Sequence, residues 1–92
     1  MADLSGAVVL VTGANGGLGA EFVTQALDRG ASRVYATARR PRDWADERVV
    51  PLELDVTDQA SVDAAVTAAS DVTIVVNNAG VGGAASLLAA SV

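Results

Sequence analysis

The sequence predicts an α/β fold, in which a parallel sheet with strand order 3-2-1-4 is flanked by helices. Three observations predict it. Strand-like and helix-like segments alternate along the 92 residues, a pattern typical of parallel sheets with right-handed crossovers. Segments 8–11 and 72–76 are apolar enough to be covered on both faces. A glycine-rich turn directly follows segment 8–11, at the point where the strand order reverses and where such folds bind ligands.

The composition indicates one small globular domain covering 1–92. Hydrophobic residues make up 51% of the chain, too many for a disordered segment. The net charge of −5 disfavours nucleic-acid binding, which usually needs a basic face. The chain contains neither cysteine nor histidine, which excludes disulfides, thiolate ligands and imidazole bases. We therefore predict no metal site and no nucleic-acid partner.

Two further features bear on location. The start of the chain is short and acidic, unlike the basic start of a signal peptide. Segment 72–92 carries no charge and is long enough to span a membrane. Because Asn77, Asn78, three glycines and two serines interrupt it, we do not expect a membrane span. The expected location is the cytoplasm.

The first strand, turn and helix form a candidate anion site. Gly13, Gly17 and Gly19 allow a tight turn and let phosphates approach the backbone. The helix after the turn is expected to bury one apolar stripe, formed by Leu18, Phe22, Val23, Ala26 and Leu27. Its N–H groups and dipole would then point at the turn, which predicts a pyrophosphate site. A P-loop is excluded because the chain has no lysine, while a glycine-rich loop without a ligand is the alternative.

The middle of the chain predicts a second strand and a charged turn. Gly30 can end the first helix in the left-handed conformation. The second strand is expected at 33–38 and the turn at 39–43, where Pro41 ends any strand pairing. Segment 44–48 is ambiguous, and one interpretation is a helical turn.

A third strand, a second helix and a fourth strand complete the alternation. The third strand is expected at 49–54, and Thr57 is the expected N-cap of the helix. The apolar face of this helix would consist of Val62, Ala65, Val66 and Ala69. The fourth strand is expected at 72–76, and a loop rich in glycine and alanine follows it.

Four landmarks coincide in this order. They are Thr12-Gly13-x-x-x-Gly17-x-Gly19, a basic end to the second strand, Asp55-Val56, and Asn77-Asn78-Ala79-Gly80. Together they closely resemble the short-chain dehydrogenase/reductase family in its classical branch, over essentially the whole chain. The resemblance implies a Rossmann-like fold that binds a nicotinamide dinucleotide for hydride transfer.

The resemblance also implies roles for individual residues. It assigns the pyrophosphate to Gly13, Gly17, Leu18 and Gly19. Asn15 would lie near the ribose and phosphate of the adenosine half, and Asp55 with the Val56 backbone would face the adenine. Asn78, Ala79 and Gly80 would line the nicotinamide-side ribose. Two residue-level alternatives stay open: Asp55 capping the turn that follows it, and Asn77 and Asn78 binding backbone groups between strand ends.

Arg39 and Arg40 decide the expected cofactor. An enzyme that uses NAD usually offers an acidic residue about twenty positions beyond the glycine turn, where it binds the 2′-hydroxyl. Here arginines stand instead, and a guanidinium can pair with a 2′-phosphate. We therefore expect NADP(H) to be favoured over NAD(H). Relatives that use NADP often carry a basic residue at the position of Gly16, which weakens this preference, and a solvated arginine cluster is the alternative.

The catalytic residues that the resemblance implies have no counterpart in this sequence. The family uses a tyrosine, a lysine and a serine from elements beyond residue 92. Tyr35 lies in the second strand, Ser86 and Ser91 come too early, and no lysine exists. We expect the chain alone to be inactive and to represent the N-terminal portion of a longer reductase, truncated after its fourth strand.

An open fourth strand would also invite pairing with another chain, so self-association, or assembly with a missing fragment of the fold, is expected. Two alternatives are a non-catalytic nucleotide-binding or self-associating Rossmann fragment, and a Rossmann scaffold without a ligand. Substrate contacts would come from the part of the family fold that this chain lacks.

Overall fold

The computed structural model describes residues 3–78. Four strands form one parallel sheet in the order β3-β2-β1-β4, which confirms the predicted fold class and strand order. Two helices connect the strands. In chain order the elements are β1 (Val8–Val11), α1 (Gly17–Asp28), β2 (Arg33–Ala38), β3 (Val49–Glu53), α2 (Gln59–Ala68) and β4 (Ile74–Val76).

The core lies on both faces of this sheet. Alternate residues of a strand point to opposite faces, and the two sets pack against different helices. On one face, the buried residues of β1 and β2 form a cluster with Val23 and Ala26 of α1. On the other face, Leu10 and Tyr35 pack against Ala69, next to α2. The two central strands are therefore covered on both sides, as their apolar sequences predict.

The ends of several elements differ from the sequence prediction. The third strand ends at Glu53 and the fourth begins at Ile74. The N-cap of α2 is Asp58, whose carboxylate accepts the N–H of Ala60 at 3.0 Å. The prediction of Thr57 is therefore wrong by one residue, since Thr57 itself is bound to Asp55. Residues 44–48 form bends and a turn, without a helix.

Two apolar residues expected in the core are exposed instead. Leu18 is 62% exposed and Val66 is 47% exposed. Leu18 lies in the first turn of α1. Val23 and Ala26 of this helix are buried against the sheet, and Phe22 and Leu27 pack beside them partly buried. Val66 follows the buried Ala65 on α2 and lies at the margin of its packed face. On both helices, the face that packs on the sheet is therefore narrower than the apolar periodicity predicts.

Strand β4 lies at one edge of the described sheet, beside β1. The apolar run 72–76 predicts a central strand, but within residues 3–78 no strand pairs with the other side of β4. Ile74 accordingly remains 36% exposed. No helix in the described part of the chain is long and apolar enough to cross a membrane.

Candidate functional site

The glycine-rich turn is held at the carboxyl ends of three neighbouring strands. Thr12 N–H donates to the carbonyl of Val76, at the end of β4, at 3.0 Å, and Ala14 N–H donates to the carbonyl of Thr37, in β2, at 2.9 Å. Gly13 between them has φ +62°, a left-handed conformation that favours glycine. The turn is therefore fixed relative to β1, β2 and β4 by backbone bonds.

Gly17 and Gly19 have different surroundings at the start of α1. A Cβ on Gly19 would lie 2.0 Å from the carbonyl oxygen of Gly13, so the helix can approach the turn only without a side chain there. A Cβ on Gly17 would meet nothing within 4 Å. Gly17 consequently borders open space at the start of α1, which leaves its backbone accessible to a ligand.

The start of α1 has the properties of an anion site. Gly16 is the N-cap and provides no side-chain cap, and the first helical bond runs from Ala20 N–H to Gly16 O at 2.8 Å. The N–H groups of Gly17, Leu18 and Gly19 precede that bond, where a helix leaves its donors unpaired. No acidic residue lies in the first turn. Phosphate groups bind at such helix ends, so this donor set fits a pyrophosphate.

A basic segment lies beside the turn. Arg39 and Arg40 follow the end of β2, and both are exposed. Together with Asn15 and Ala38 they line an open cavity of about 500 Å³. The amide Nδ2 of Asn15 donates to the backbone carbonyl of Arg40 at 2.8 Å. The fold thus brings together Asn15 from the turn and the two arginines, which are 24 and 25 positions further along the chain.

Asp55 caps the turn before α2. Its Oδ1 accepts both the N–H of Thr57 at 3.0 Å and the hydroxyl of Thr57 at 2.6 Å. The Thr57 hydroxyl lowers the pKa of this carboxyl, and the Thr57 N–H and the charge of Arg39 lower it further. Asp55 N–H in turn donates to the hydroxyl of Ser61 at 2.8 Å. The capping role that the sequence left open is therefore present in the structure, and Val56 is half-buried beside it.

The segment after β4 is bonded to the glycine turn. Asn78 N–H donates to the hydroxyl of Thr12 at 2.7 Å, and Asn78 Nδ2 lies 3.4 Å from the carbonyl of Gly13. The Thr12 hydroxyl also lies 3.3 Å from Oδ1 of Asn77. Both asparagines thus contact the strand ends, which agrees with the structural role considered for them. Ala79 and Gly80, like Ser86 and Ser91, lie outside the described residues.

Two contributions to the site were not apparent in the sequence. Thr12 is fully buried, and its hydroxyl joins β1 to the segment after β4. Thr12 belongs to the glycine-rich motif of the sequence, but its partner Asn78 is 66 positions away, so residue spacing gave no signal for this bond. The bond from Asn15 to Arg40 had no signal, since its partners lie 25 positions apart. Tyr35, in contrast, donates its hydroxyl to Asp71 at 2.8 Å, away from the glycine turn.

The sequence of the chain is similar to that of known proteins. The family model for short chain dehydrogenases matches residues 7–91. A short chain dehydrogenase of Monascus ruber, pigC, is 40% identical over 87% of this chain. The alignment covers 32% of the Monascus protein, so the chain spans about a third of the length of this relative.

The fold of the chain is also similar to that of solved structures. The crystal structure of a short chain dehydrogenase from Burkholderia cenocepacia J2315 in complex with NADP superposes with a TM-score of 0.78 and 42% identity, covering 87% of this chain and 33% of that one. The 3-ketoacyl-(acyl-carrier-protein) reductase from Brucella melitensis, complexed with NADH, superposes with a TM-score of 0.75 and 34% identity, covering 85% of this chain and 36% of that one. One of these two structures is thus a complex with NADP and the other a complex with NADH.

Proposed function

The chain belongs to the short-chain dehydrogenase family, and we propose that it forms the NADP(H)-binding part of an oxidoreductase. The proposed reaction is hydride transfer between the cofactor and a carbonyl or alcohol group. The observation that carries the proposal is the position of Arg39 and Arg40 beside the uncapped start of α1. In this proposal a single dinucleotide places its pyrophosphate at the start of α1 and its 2′-phosphate in the basic cavity.

In this proposal the pyrophosphate lies against the start of α1. The backbone of Gly13, Gly17, Leu18 and Gly19 surrounds it. The open space at Gly17 and the lack of acidic residues in the first turn both support this position. Charge-assisted bonds from helix N–H groups to phosphate oxygens are among the stronger hydrogen bonds in proteins.

The basic cavity would hold the 2′-phosphate of NADP(H). Neither Arg39 nor Arg40 forms a salt bridge among residues 3–78, so both guanidinium groups can turn to a ligand. The NADP complex of the Burkholderia relative supports this choice. The NADH complex of the Brucella reductase supports the alternative, NAD(H), and the two cofactors therefore have to be compared directly.

The remaining contacts of the dinucleotide follow from the same arrangement. Asp55 and the backbone of Val56 would face the adenine, with one oxygen of the carboxylate already engaged by Thr57. Asn78 would contact the nicotinamide-side ribose, together with Ala79 and Gly80.

The bound nicotinamide would supply the hydride, while the residues described above bind and orient it. We further propose that the 92-residue chain is inactive by itself, because it contains no lysine to lower the pKa of a catalytic tyrosine. The single-domain organisation and the cytoplasmic location stay predictions.

Calorimetric titration of the 92-residue chain with NADPH and with NADH tests the proposal. We expect tighter binding of NADPH, and we expect Arg39→Ala with Arg40→Ala to remove that difference while the affinity for NADH is kept. Arg29→Ala, just after the far end of α1, is the control for the loss of one positive charge away from the turn, and it is compared with Arg39→Ala and Arg40→Ala made singly. Failure of the unaltered chain to bind either dinucleotide would refute the proposal.

A second candidate function is that of a self-associating, non-catalytic module. The exposed Ile74 on β4 at the edge of the described sheet favours it, since an unpaired strand presents donors and acceptors to another chain. The partner would be a second copy of this chain. Sedimentation or size-exclusion measurements over a range of concentrations distinguish this candidate, because a persistent monomer would contradict it.

A further inference from the structure

We propose that Asn15 is a positioning residue that sets the preference for NADP(H), by tying the glycine-rich turn to the basic segment after β2. The inference rests on the proposed function. Its basis is the 2.8 Å bond from Asn15 Nδ2 to the backbone carbonyl of Arg40. This bond joins the part of the chain that would hold the pyrophosphate to the part that would hold the 2′-phosphate.

The basic segment has little else to hold it. Strand β2 ends at Ala38, whose carbonyl still accepts the N–H of Leu54 at 2.9 Å. Arg39 and Arg40 follow as exposed residues in a bend. The charge of Arg39 acts on Asp55 and lowers its pKa, but neither arginine forms a salt bridge among residues 3–78. An arginine that must be ordered when the ligand binds costs affinity. A tether on the Arg40 backbone therefore prepares both side chains for an anion.

The tether distinguishes the two cofactors because only one of them uses the arginines. NADP(H) carries the 2′-phosphate, whereas NAD(H) has a hydroxyl at that position. Loosening the basic segment thus weakens NADPH binding and leaves NADH binding nearly unchanged. Asn15 binds the backbone carbonyl of Arg40. It can therefore change the affinity for NADPH only through the arginine side chains that this backbone carries. If Asn15 instead contacted the cofactor directly, its substitution would weaken binding even when both arginines are absent.

A double-mutant cycle tests the inference. Asn15 has no positive φ, so alanine fits its backbone conformation. We expect Asn15→Ala to weaken NADPH binding roughly two- to tenfold, the range that one lost hydrogen bond produces, and to change NADH binding less. In the Arg39→Ala, Arg40→Ala background, the same substitution should leave NADPH affinity unchanged. An equal loss for both cofactors, or a loss that persists without the arginines, would overturn the inference.

Hydrogen exchange of the cofactor-free chain gives an independent readout. The amides of Arg39, Arg40, Arg42 and Asp43 should exchange faster in Asn15→Ala than in the unaltered chain. Gln25→Ala, an exposed substitution on α1, should leave that segment unchanged. If exchange at 39–43 does not respond to Asn15→Ala, the positioning role is wrong, whatever the titrations give. If the unaltered chain binds neither dinucleotide, the proposed function fails, and the exchange data alone then decide whether the tether exists.

Discussion

The backbone N–H of Asn78 donates a 2.7 Å hydrogen bond to the buried hydroxyl of Thr12. The two residues are 66 positions apart and lie just beyond the carboxyl ends of β4 and β1. The same hydroxyl lies near Asn77 Oδ1, so one buried group bonds to both asparagines. Thr12 thereby fixes the segment after β4 against the glycine turn, which is where the nicotinamide side of the cofactor is proposed to lie.

We expect Thr12→Val to lower the free energy of unfolding by about 0.5–1.5 kcal/mol, the net contribution of a typical hydrogen bond, because the Asn78 N–H that loses its acceptor is only half-buried. Valine has nearly the shape of threonine, so the volume filled at this buried position is kept while the hydroxyl is lost. Urea denaturation followed by circular dichroism measures the change.

Thr12→Ser is the matched control, because it keeps the hydroxyl and removes only a methyl group. We expect it to retain the Asn78 bond and to lose less stability than the valine variant. If the valine variant is as stable as the unaltered chain, the Thr12–Asn78 bond does not contribute to stability.

Gly17→Ala and Gly19→Ala form a pair with opposite expected effects. A methyl group on Gly19 would overlap the backbone of Gly13, and such overpacking costs about 1–3 kcal/mol or more. A methyl group on Gly17 meets open space, so the fold should be kept and helix propensity slightly improved. Because that open space is the proposed pyrophosphate site, Gly17→Ala should nevertheless weaken binding of both NADPH and NADH.

Thermal unfolding and calorimetric titration of the two variants, side by side with the unaltered chain, check this pair. Undiminished dinucleotide binding by a folded Gly17→Ala variant would show that the phosphates do not lie at the start of α1.

The sheet could be predicted from the sequence because its signals are local. The apolar run of β1, the glycines that follow it and the helical spacing of Val23 and Ala26 each lie within a few residues. Relationships across the chain were not predictable in this way. Whether Leu18 is buried depends on where the sheet ends beneath α1, and periodicity does not report that.

The individual residues of the candidate site were predicted from the sequence, but the hydrogen bonds that join them were not. The resemblance to the family implied that Asn15, Arg39 and Asp55 belong to one region. The bond that ties Asn15 to Arg40, and the use of Asp55 as a cap for Thr57, depend on loop conformations that residue spacing does not determine. Several neighbouring polar side chains can cap the same helix end. For this reason the sequence did not distinguish Asp58, the N-cap of α2, from Thr57.

Asp46 and Arg48 should make stability dependent on pH. The side chain of Arg48 donates to Asp46 at 2.8 Å, and this bond lowers the pKa of Asp46 to about 2 from its ordinary 3.8. A lowered pKa in the folded state stabilises the fold above the unfolded value. This contribution should therefore be complete above about pH 4 and be lost as the pH falls towards about 2.

Unfolding by urea at a series of pH values checks this. The difference in stability between the unaltered chain and Asp46→Asn should shrink as the pH falls through that window. Arg48→Gln should reduce this pH dependence, since it deletes the guanidinium while the backbone N–H of residue 48 still donates to Asp46 at 2.9 Å. A difference that is constant from pH 6 to pH 2 would show that the ion pair does not respond to protonation.

The edge of the sheet provides the last prediction. If a second copy pairs with β4, replacing the exposed Ile74 by lysine should disfavour pairing, because a charge on an edge strand opposes strand addition. We expect the unaltered chain to elute from a size-exclusion column earlier as its concentration rises, and Ile74→Lys to elute as a monomer throughout. Val66→Lys, which removes a similarly exposed apolar side chain from α2, is the control and should not change the association. If both lysine variants dissociate the protein equally, general apolar contact rather than the β4 edge drives association.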